Sequence, residues 1–217
     1  MKIGQGAKAF CKTKPLRRKV GKVFLVIPVC VLMLLMSACK KDNTPFKHGT
    51  VGANTYTSEF LGIKIQAGSG WSMMSDADIA KGNKISDMSE SSIQTVFDKG
   101  MYITEMMVTK DDGSSINITV QDNNKTISVS EKEYFTDGIA LIKAQFDAAG
   151  YTADVKKGSV NFLGKSTDCL ELSLTVAGTT VYEIQIPVFK SHYTASITFG
   201  SLNKSDLNTF LNMVTSV

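Results

Sequence analysis

The chain of 217 residues carries a formal net charge of +4 at pH 7, but that charge is divided unevenly along it. Before Cys39 there are eight Lys or Arg residues and no acidic residue, whereas the chain from Lys40 onward has 16 lysines, 20 acidic side chains and no arginine. Arginine is the usual residue for bidentate contacts with phosphate and guanine. This composition therefore excludes nucleic-acid binding as a function of the acidic part.

The first 38 residues have the order of a secretory signal peptide. A basic segment over 1–22 is followed by an apolar run over 24–36 and by the small residues Ser37 and Ala38. The tetrapeptide Met36-Ser37-Ala38-Cys39 resembles the lipobox of bacterial lipoproteins, with Met36 where leucine is commonest. That resemblance implies cleavage between Ala38 and Cys39 and acylation of the Cys39 thiol by a diacylglyceryl group, with acyl chains such as palmitate. We therefore predict a lipid-anchored, extracytoplasmic protein of the cell envelope.

Three other interpretations of this segment fit less well. The apolar run has 13 residues and contains Pro28, whereas a membrane-spanning helix needs about 20. Arg17-Arg18 could belong to a twin-arginine signal, but the flanking residues match that pattern poorly. Cys39 as an ordinary buried cysteine is disfavoured by the polar residues 40–45 that follow it. Lys40 and Lys41 do not decide between the inner and the outer membrane.

The chain after Cys39 is predicted to be a tether and one domain. Residues 39–53 are polar with scattered Gly and Pro, which is typical of a flexible linker, and residues 54–217 form the domain. Cys11 and Cys30 precede the cleavage point, so Cys169 is the lone free thiol of the predicted mature chain. The fold must therefore be held by its core and not by an internal disulfide.

The first half of the domain is predicted to contain two hairpins and two short helices. Asp111-Asp112-Gly113 is a strong tight-turn signal, because Asp-Gly tolerates positive φ angles. Ser75, with an acid at the third position after it, predicts a helix N-terminus. The predicted strands cover 56–60, 63–67, 101–109 and 115–121, and the second helix covers 91–99.

The second half is predicted to be a long helix, five strands and a final helix. The helix runs from a capping box at Ser130 to Gly150, and the final helix runs from Ser205 to Val214. The strands cover 152–156, 159–162, 167–176, 180–189 and 193–199, with Pro187 marking an edge or a bulge. In the strand over 167–176, alternation places Leu170, Leu172 and Leu174 on an apolar face and Cys169 and Glu171 on a polar face. In the strand over 180–189, the polar face carries Glu183 and Gln185, and the apolar face carries Tyr182, Ile184, Ile186 and Val188. The predicted class is α+β, an antiparallel β-sheet with helices packed on one side.

This order of elements follows a segment that resembles a known family. Residues 56–65 (YTSEFLGIKI), followed by Gly70-Trp71, are similar to the start of the PsbP-like domain, the fold shared by PsbP and the Ran-binding Mog proteins. The resemblance covers about residues 54–217, and in particular it suggests small lipoproteins of non-photosynthetic bacteria. It implies a non-enzymatic domain that docks on or assembles other proteins. Trp71 then fills a core or, as the alternative, contributes to a ligand or partner surface.

Residues that could carry catalysis or bind a metal are few, and each has a structural interpretation. His48 lies in the predicted tether and His192 is predicted to be an exposed histidine at a strand start. Cys169 lies between Asp168 and Glu171, whose charge would raise the thiol pKa and reduce its reactivity. Residues 111–115 fit a turn better than a calcium loop, and Met73-Met74 and Met106-Met107 fit a core better than an adaptable partner surface. We therefore predict no catalytic residue, no metal and no cofactor.

Two function classes remain after these exclusions. The first is a membrane-anchored binding or assembly module that acts on an unknown protein partner. The alternative is a small-ligand-binding lipoprotein associated with a transporter, although a single domain of this size is shorter than the usual two-lobed receptor. The sequence indicates neither the partner nor the ligand, and an enzyme has no supporting set of residues.

Overall fold

The computed structural model describes residues 44–126 and 131–217. The predicted signal peptide and the cleavage and lipidation residues Ala38 and Cys39 lie outside these residues. In the described part of the chain, antiparallel strands form two sheets and helices pack against them. This arrangement confirms the predicted α+β class, although one sheet was expected and two are found. None of the described helices is both long enough and apolar enough to cross a bilayer.

The smaller sheet has four short strands in the order β1-β2-β3-β11. The larger sheet has seven strands in the order β4-β5-β6-β10-β9-β8-β7. The strand bounds are β1 Thr50–Val51, β2 Thr55–Ser58, β3 Ile63–Gln66, β4 Trp71–Met73, β5 Ile103–Lys110, β6 Ser115–Asp122, β7 Thr152–Phe162, β8 Lys165–Val176, β9 Thr179–Lys190, β10 Tyr193–Ser201 and β11 Val214–Ser216. The helices are α1 Asp76–Asn83, α2 Glu90–Phe97, α3 Glu131–Tyr134, α4 Asp137–Ala148 and α5 Leu207–Leu211.

Buried apolar layers lie on both faces of the larger sheet. The main core joins one face to the smaller sheet and to α1, α2 and α5, with members such as Tyr56, Ile118 and Ile197. A second cluster packs α3 and α4 against the leucines of β8 on the other face. The expectation of helices on one side alone is therefore wrong, because α1, α2 and α5 pack on one face of the larger sheet while α3 and α4 pack on the other.

The alternation of β8 and β9 is present. Glu171 on the predicted polar side is partly exposed, but three other residues predicted on polar sides are buried. Leu170, Leu172 and Leu174 face α4 as predicted. Cys169 points the opposite way and is fully buried in the main core, so its assignment to a polar face is wrong. Glu183 and Gln185 pair with Leu172 and Leu170 and are also buried. Burial raises the pKa of Glu183 to about 7, against the opposing effect of a hydrogen bond from Gln185.

Two predicted helices differ from those found. The long helix is interrupted after Tyr134, where the Thr136 hydroxyl donates to the carbonyl oxygens of Lys132 and Glu133, and α4 begins only at Asp137. Ser130, the predicted cap, lies outside the described residues. The final helix ends at Leu211, and Val214 belongs to β11, which pairs with β3. A β-branched residue at that position suits a strand better than a helix.

Several turn and boundary predictions are confirmed. Ser75 caps α1 by accepting a hydrogen bond from the Asp78 amide. Gly113 closes the hairpin between β5 and β6 with a φ of 90°. Pro187 lies in the part of β9 that pairs with β10 alone, because pairing with β8 ends at Gln185.

The folded part begins earlier than the predicted boundary at residue 54. Phe46 is buried in the main core, and Thr50–Val51 forms β1 on β2. The flexible tether expected over residues 39–53 therefore does not extend through Phe46 to Val51. The local composition is polar, but one aromatic residue and a short edge strand attach the segment to the domain.

Candidate functional site

The possible partner residue Trp71 lies at one end of the larger sheet. It opens β4 opposite Lys110 and stacks edge-to-face on Phe210 of α5, with ring centroids 4.9 Å apart. The ring packs against the main core but remains partly exposed. Its contact with Phe210 supplies the core role, and a role in binding stays a prediction. Cleavage after Ala38 and lipidation of Cys39 also stay predictions.

The densest cluster of titratable groups is built around Glu105, which the sequence did not single out. A β-bulge in β5 creates its position, because Thr104 pairs with Thr119 and Met106 with the next residue, Ile118. The extra residue of a bulge is free to point away from the regular alternation. Glu105 thereby becomes fully buried between neighbouring apolar residues.

The hydrogen-bond partners of Glu105 in the described residues lie in the N-terminal part of the domain. Its Oε1 accepts a hydrogen bond from the Tyr56 hydroxyl at 2.6 Å and one from the Gly49 amide at 2.7 Å. Its Oε2 lies 2.8 Å from His48 Nδ1. A Cβ at Gly49 would lie 2.6 Å from the Tyr56 ring, so only glycine permits this close approach. The carboxylate thus joins β5 to both β2 and the segment before β1.

His48 lies between two carboxylates and is not a tether residue. Its Nε2 is 3.2 Å from Asp76 Oδ1, while its Nδ1 faces Glu105. A neutral imidazole carries one N–H, so only the imidazolium can donate to both acids. Burial lowers the pKa of His48, but the hydrogen bonds and charges of Glu105 and Asp76 outweigh that effect and raise the pKa overall. Burial and the Glu105 charge also raise the pKa of Tyr56.

The residue types in this cluster could serve acid–base catalysis, but their arrangement favours a structural role. A general base must reach a substrate proton directly or through one water. Glu105 is 0% exposed, and its oxygens accept hydrogen bonds from groups of the same chain. The His48 side chain is 12% exposed and has a carboxylate at each ring nitrogen. The cluster therefore fastens the N-terminal segment to the domain.

Aromatic packing fastens the same segment just before His48. The Phe46 ring lies 5.1 Å from that of Phe60 and 5.8 Å from those of Phe97 and Tyr193. Such edge-to-face and tilted pairs contribute beyond the area they bury. Phe46 is the aromatic residue of an otherwise polar stretch, which is the signal in the sequence that could have revealed its role.

The other predicted site residues lie apart from the Glu105 cluster. His192 is partly exposed, with its side chain 21% accessible, its ring 4.0 Å from that of Tyr193 and its Nε2 3.7 Å from Asp122. Burial, and then the charges of Glu171 and Asp168, raise the pKa of Cys169 to about 11. The expected low reactivity therefore has a different main cause from the one predicted.

Two other sequence interpretations can be followed in the structure. Asp112 accepts a hydrogen bond from the Ser114 amide and pairs with Lys110 within the predicted turn. Met106 and Met107 are buried in the core, with Met73 and Met74 packed against it. Over residues 44–126 and 131–217, no group of three or more His, Cys, Asp or Glu side chains is placed to hold a metal ion.

A surface cleft of about 440 Å³ lies between the end of α1 and α2. Its wall combines lysine side chains, hydroxyl groups and an apolar floor. The lining includes Lys84, Ser92, Thr95, Lys99 and Met101. The lysine ammonium groups suit a small anionic ligand better than an apolar one.

Comparisons with known proteins find similarity in solved structures but not in family models or curated proteins. No protein-family model matches the chain, and no curated protein matches it. The solution structure of cyanobacterial PsbP (CyanoP) from Synechocystis sp. PCC 6803 is similar, with a TM-score of 0.47 and 12% identity. The likeness covers 83% of this chain and 98% of that chain. At this score it carries no argument about function, and the α+β class rests on the sheets and helices themselves.

Proposed function

We propose that this chain is a lipoprotein of the cell envelope, anchored through Cys39, whose folded part binds or assembles other proteins without catalysing a reaction. The observation that carries the proposal is the short distance between the lipobox-like tetrapeptide and the core. Six residues separate Cys39 from Phe46, which is already buried. Two acyl chains on the cysteine would give stable attachment, whereas a single chain gives marginal binding.

The non-enzymatic part of the proposal is supported by how the reactive groups are used. Glu105 and His48 hold the N-terminal segment, and the Cys169 thiol is buried with a raised pKa. The partly exposed Trp71 lies at the end of the sheet opposite Phe46, because its partner Lys110 ends the strand that begins near Phe97. An anchored domain would present this end to a partner.

A photo-crosslinking residue placed at Ser72, which is exposed beside Trp71, tests this binding role in cells. We expect one envelope protein to crosslink to the anchored chain and the crosslink to be lost in Trp71→Ala. Trp71→Phe, which keeps a ring against Phe210, controls for loss of packing. A Cys39→Ala form reports whether anchoring is needed. Crosslinks that are unchanged in Trp71→Ala would contradict a partner surface at this end.

The cleft between α1 and α2 favours a second candidate function, the binding of a small anionic ligand. Lys84 and Lys99 line it and would supply the contacts with an anion. The Ser92 hydroxyl donates to Asp87 and the Thr95 hydroxyl donates to the Ser92 carbonyl oxygen, so both hydroxyl protons are already used. Calorimetric titration with inorganic phosphate and with small carboxylates tests this candidate. Saturable binding that is lost in Lys84→Gln with Lys99→Gln would favour the ligand-binding alternative, and heats equal to those of dilution would exclude it for these anions.

A further inference from the structure

We propose that the end of the larger sheet that contains Phe46 faces the membrane and contacts the headgroups of anionic lipids. The proposal rests on the lipid anchor at Cys39 proposed above. The surface, called here the Phe46 end, consists of Lys47, Lys99, Met101, Lys125 and Lys190 around the buried Phe46.

Strand pairing places these residues at one end of the sheet. Asp122 at the end of β6 pairs with Tyr193 at the start of β10, which in turn pairs with Lys190 at the end of β9. β5 begins at the same level, because Ile103 pairs with Val120. The Phe46 ring contacts Tyr193, so the N-terminal segment enters the core at this end.

The short connection to the anchor restricts which surface can approach the membrane. From Cys39 to Phe46 the chain can span at most about 25 Å, even when fully extended. The larger sheet is about as long, since the seven steps from Ile103 to Lys110 along the eight residues of β5 cover about 23 Å. Phe46 therefore lies within about 25 Å of the headgroups in any orientation, and the end that contains Trp71 can reach them only when the connection is almost fully extended along the sheet. The connection thus favours the orientation with the Phe46 end at the membrane.

Lysines and acids are distributed unevenly between the Phe46 end and the rest of the chain. The Phe46 end includes α3, because Tyr134 packs on Phe189 near the end of β9. With residues 40–42 this end carries seven lysines and six acids, the acids being Asp42, Glu59, Asp98, Asp122, Glu131 and Glu133. The rest of the chain after Cys39 carries nine lysines and fourteen acids. Lysines near a membrane surface are attracted to anionic lipids, and acids are repelled. The charge distribution therefore favours the orientation that the short connection permits.

The side chains at this end are available for lipid contact. Met101 is 51% exposed, and Lys47 and Lys99 are exposed and form no ion pair with another described residue. Lys190 lies over the Phe60 ring with its Nζ 5.3 Å from the centroid. Exposed methionine among lysines combines apolar contact with cationic contact, as membrane-surface segments do.

Two exposed residues at opposite ends provide a matched pair of probe positions. Met101 lies at the Phe46 end, and Leu202, 49% exposed, packs near Gly113 in the β5–β6 turn at the other end. Met101→Cys and Leu202→Cys can each carry a fluorophore, because Cys169 is buried and acylated Cys39 has no free thiol. The lipidated protein is reconstituted in phosphatidylcholine–phosphatidylglycerol vesicles that contain a headgroup-linked quencher lipid.

We expect strong quenching at position 101 and little at position 202. Equal quenching at both positions in protein that floats with the vesicles would overturn the orientation and leave the anchor intact. Failure of the unsubstituted protein to float would overturn the anchor, and this proposal with it.

A second pair of variants tests the role of charge. Lys47→Gln with Lys99→Gln should reduce quenching at position 101 in anionic vesicles toward the level at position 202. Lys110→Gln with Lys204→Gln, which removes the same charge from the opposite end, should leave it unchanged. If neither double variant reduces the quenching, or if both reduce it equally, the lysines of the Phe46 end do not contact the anionic headgroups.

Discussion

Glu105 shows how one residue connects the N-terminal segment to the larger sheet. A buried carboxylate is costly unless it is hydrogen-bonded, and here Tyr56, Gly49 and His48 each contact it. Removing one partner of such a group leaves desolvation without compensation. The contribution of each partner can therefore be measured by deleting it alone.

Tyr56→Phe should lower the free energy of unfolding by about 1–3 kcal/mol, because it removes a buried hydrogen bond to a charged acceptor. The measurement is urea unfolding of the mature chain, followed by circular dichroism. Tyr151→Phe, at a partly buried tyrosine between α4 and β7 whose ring packs on Phe146, is the matched control and should change stability by less. A loss at position 56 no larger than that at position 151 would mean that the hydroxyl adds nothing to stability.

His48 should make stability depend on pH above the ordinary imidazole range. Its pKa in the folded chain is raised above the ordinary value of 6.5, so the folded state favours the imidazolium. The stabilisation is complete below pH 6.5 and is lost as pH rises through the folded-state pKa. Unfolding free energies at a series of pH values for the mature chain and for His48→Asn test this, since the decline should flatten in the variant. An equal decline in both proteins would assign the dependence to another group.

The sequence indicates some of these residues only in retrospect. Glu105 is an acid inside an apolar strand, which could have indicated a special position, but the bulge depends on pairing with β6. His48 was assigned to a tether because local polarity describes the segment and not its partners 28 and 57 residues away. The raised pKa of the Cys169 thiol agrees with the prediction, yet its main cause, burial, depends on tertiary structure.

At the scale of elements, the segment before β1 is the largest addition to the predicted domain. Phe46 packs on three aromatic rings and β1 pairs with β2. An edge strand of two residues contributes little by itself, so the aromatic packing and the Glu105 contacts must hold the segment. The true N-terminal boundary of the domain can be tested by truncation.

A chain that begins at Asn54 should be much less stable than one that begins at Thr44. It loses Phe46, and truncation of a buried phenylalanine alone costs about 3–5 kcal/mol. Thermal unfolding of the two chains and of Phe46→Ala in the longer one provides the measurement. Lys47→Ala, at the exposed neighbouring position, is the control and should have little effect. Equal melting temperatures for the two chains would mean that residues 44–53 do not stabilise the domain and belong to the tether.

Local sequence patterns predicted most helices and strands correctly, and they failed where contacts between residues distant in sequence determine the structure. The Asp-Gly hairpin and the Ser75 cap depend on neighbours in sequence, and both were predicted correctly. The division of the long helix at Thr136 and the strand at Val214 depend on side-chain competition and on pairing with β3. The second sheet was missed for the same reason, since β11 joins it from the end of the chain.

At the scale of the whole molecule, the proposed anchor, the short connection and the uneven charge favour the same orientation, with the Phe46 end toward the membrane and Trp71 away from it. The anchor would hold the Phe46 end at the membrane, and Trp71 would lie about 23 Å farther out along β5. Binding to a partner at that end would need no change in the fold. All of this depends on the chemistry of Cys39.

The most direct test is the mass of the N-terminal peptide of the protein purified from its own membranes. Cleavage and lipidation predict a peptide that begins at Cys39 and carries the mass of a diacylglyceryl group, with or without a further acyl chain. The Cys39→Ala protein should retain residues 1–38 or leave the membrane fraction. An unmodified N-terminal peptide that still contains the apolar run over residues 24–36 would contradict the lipoprotein assignment and the orientation built on it.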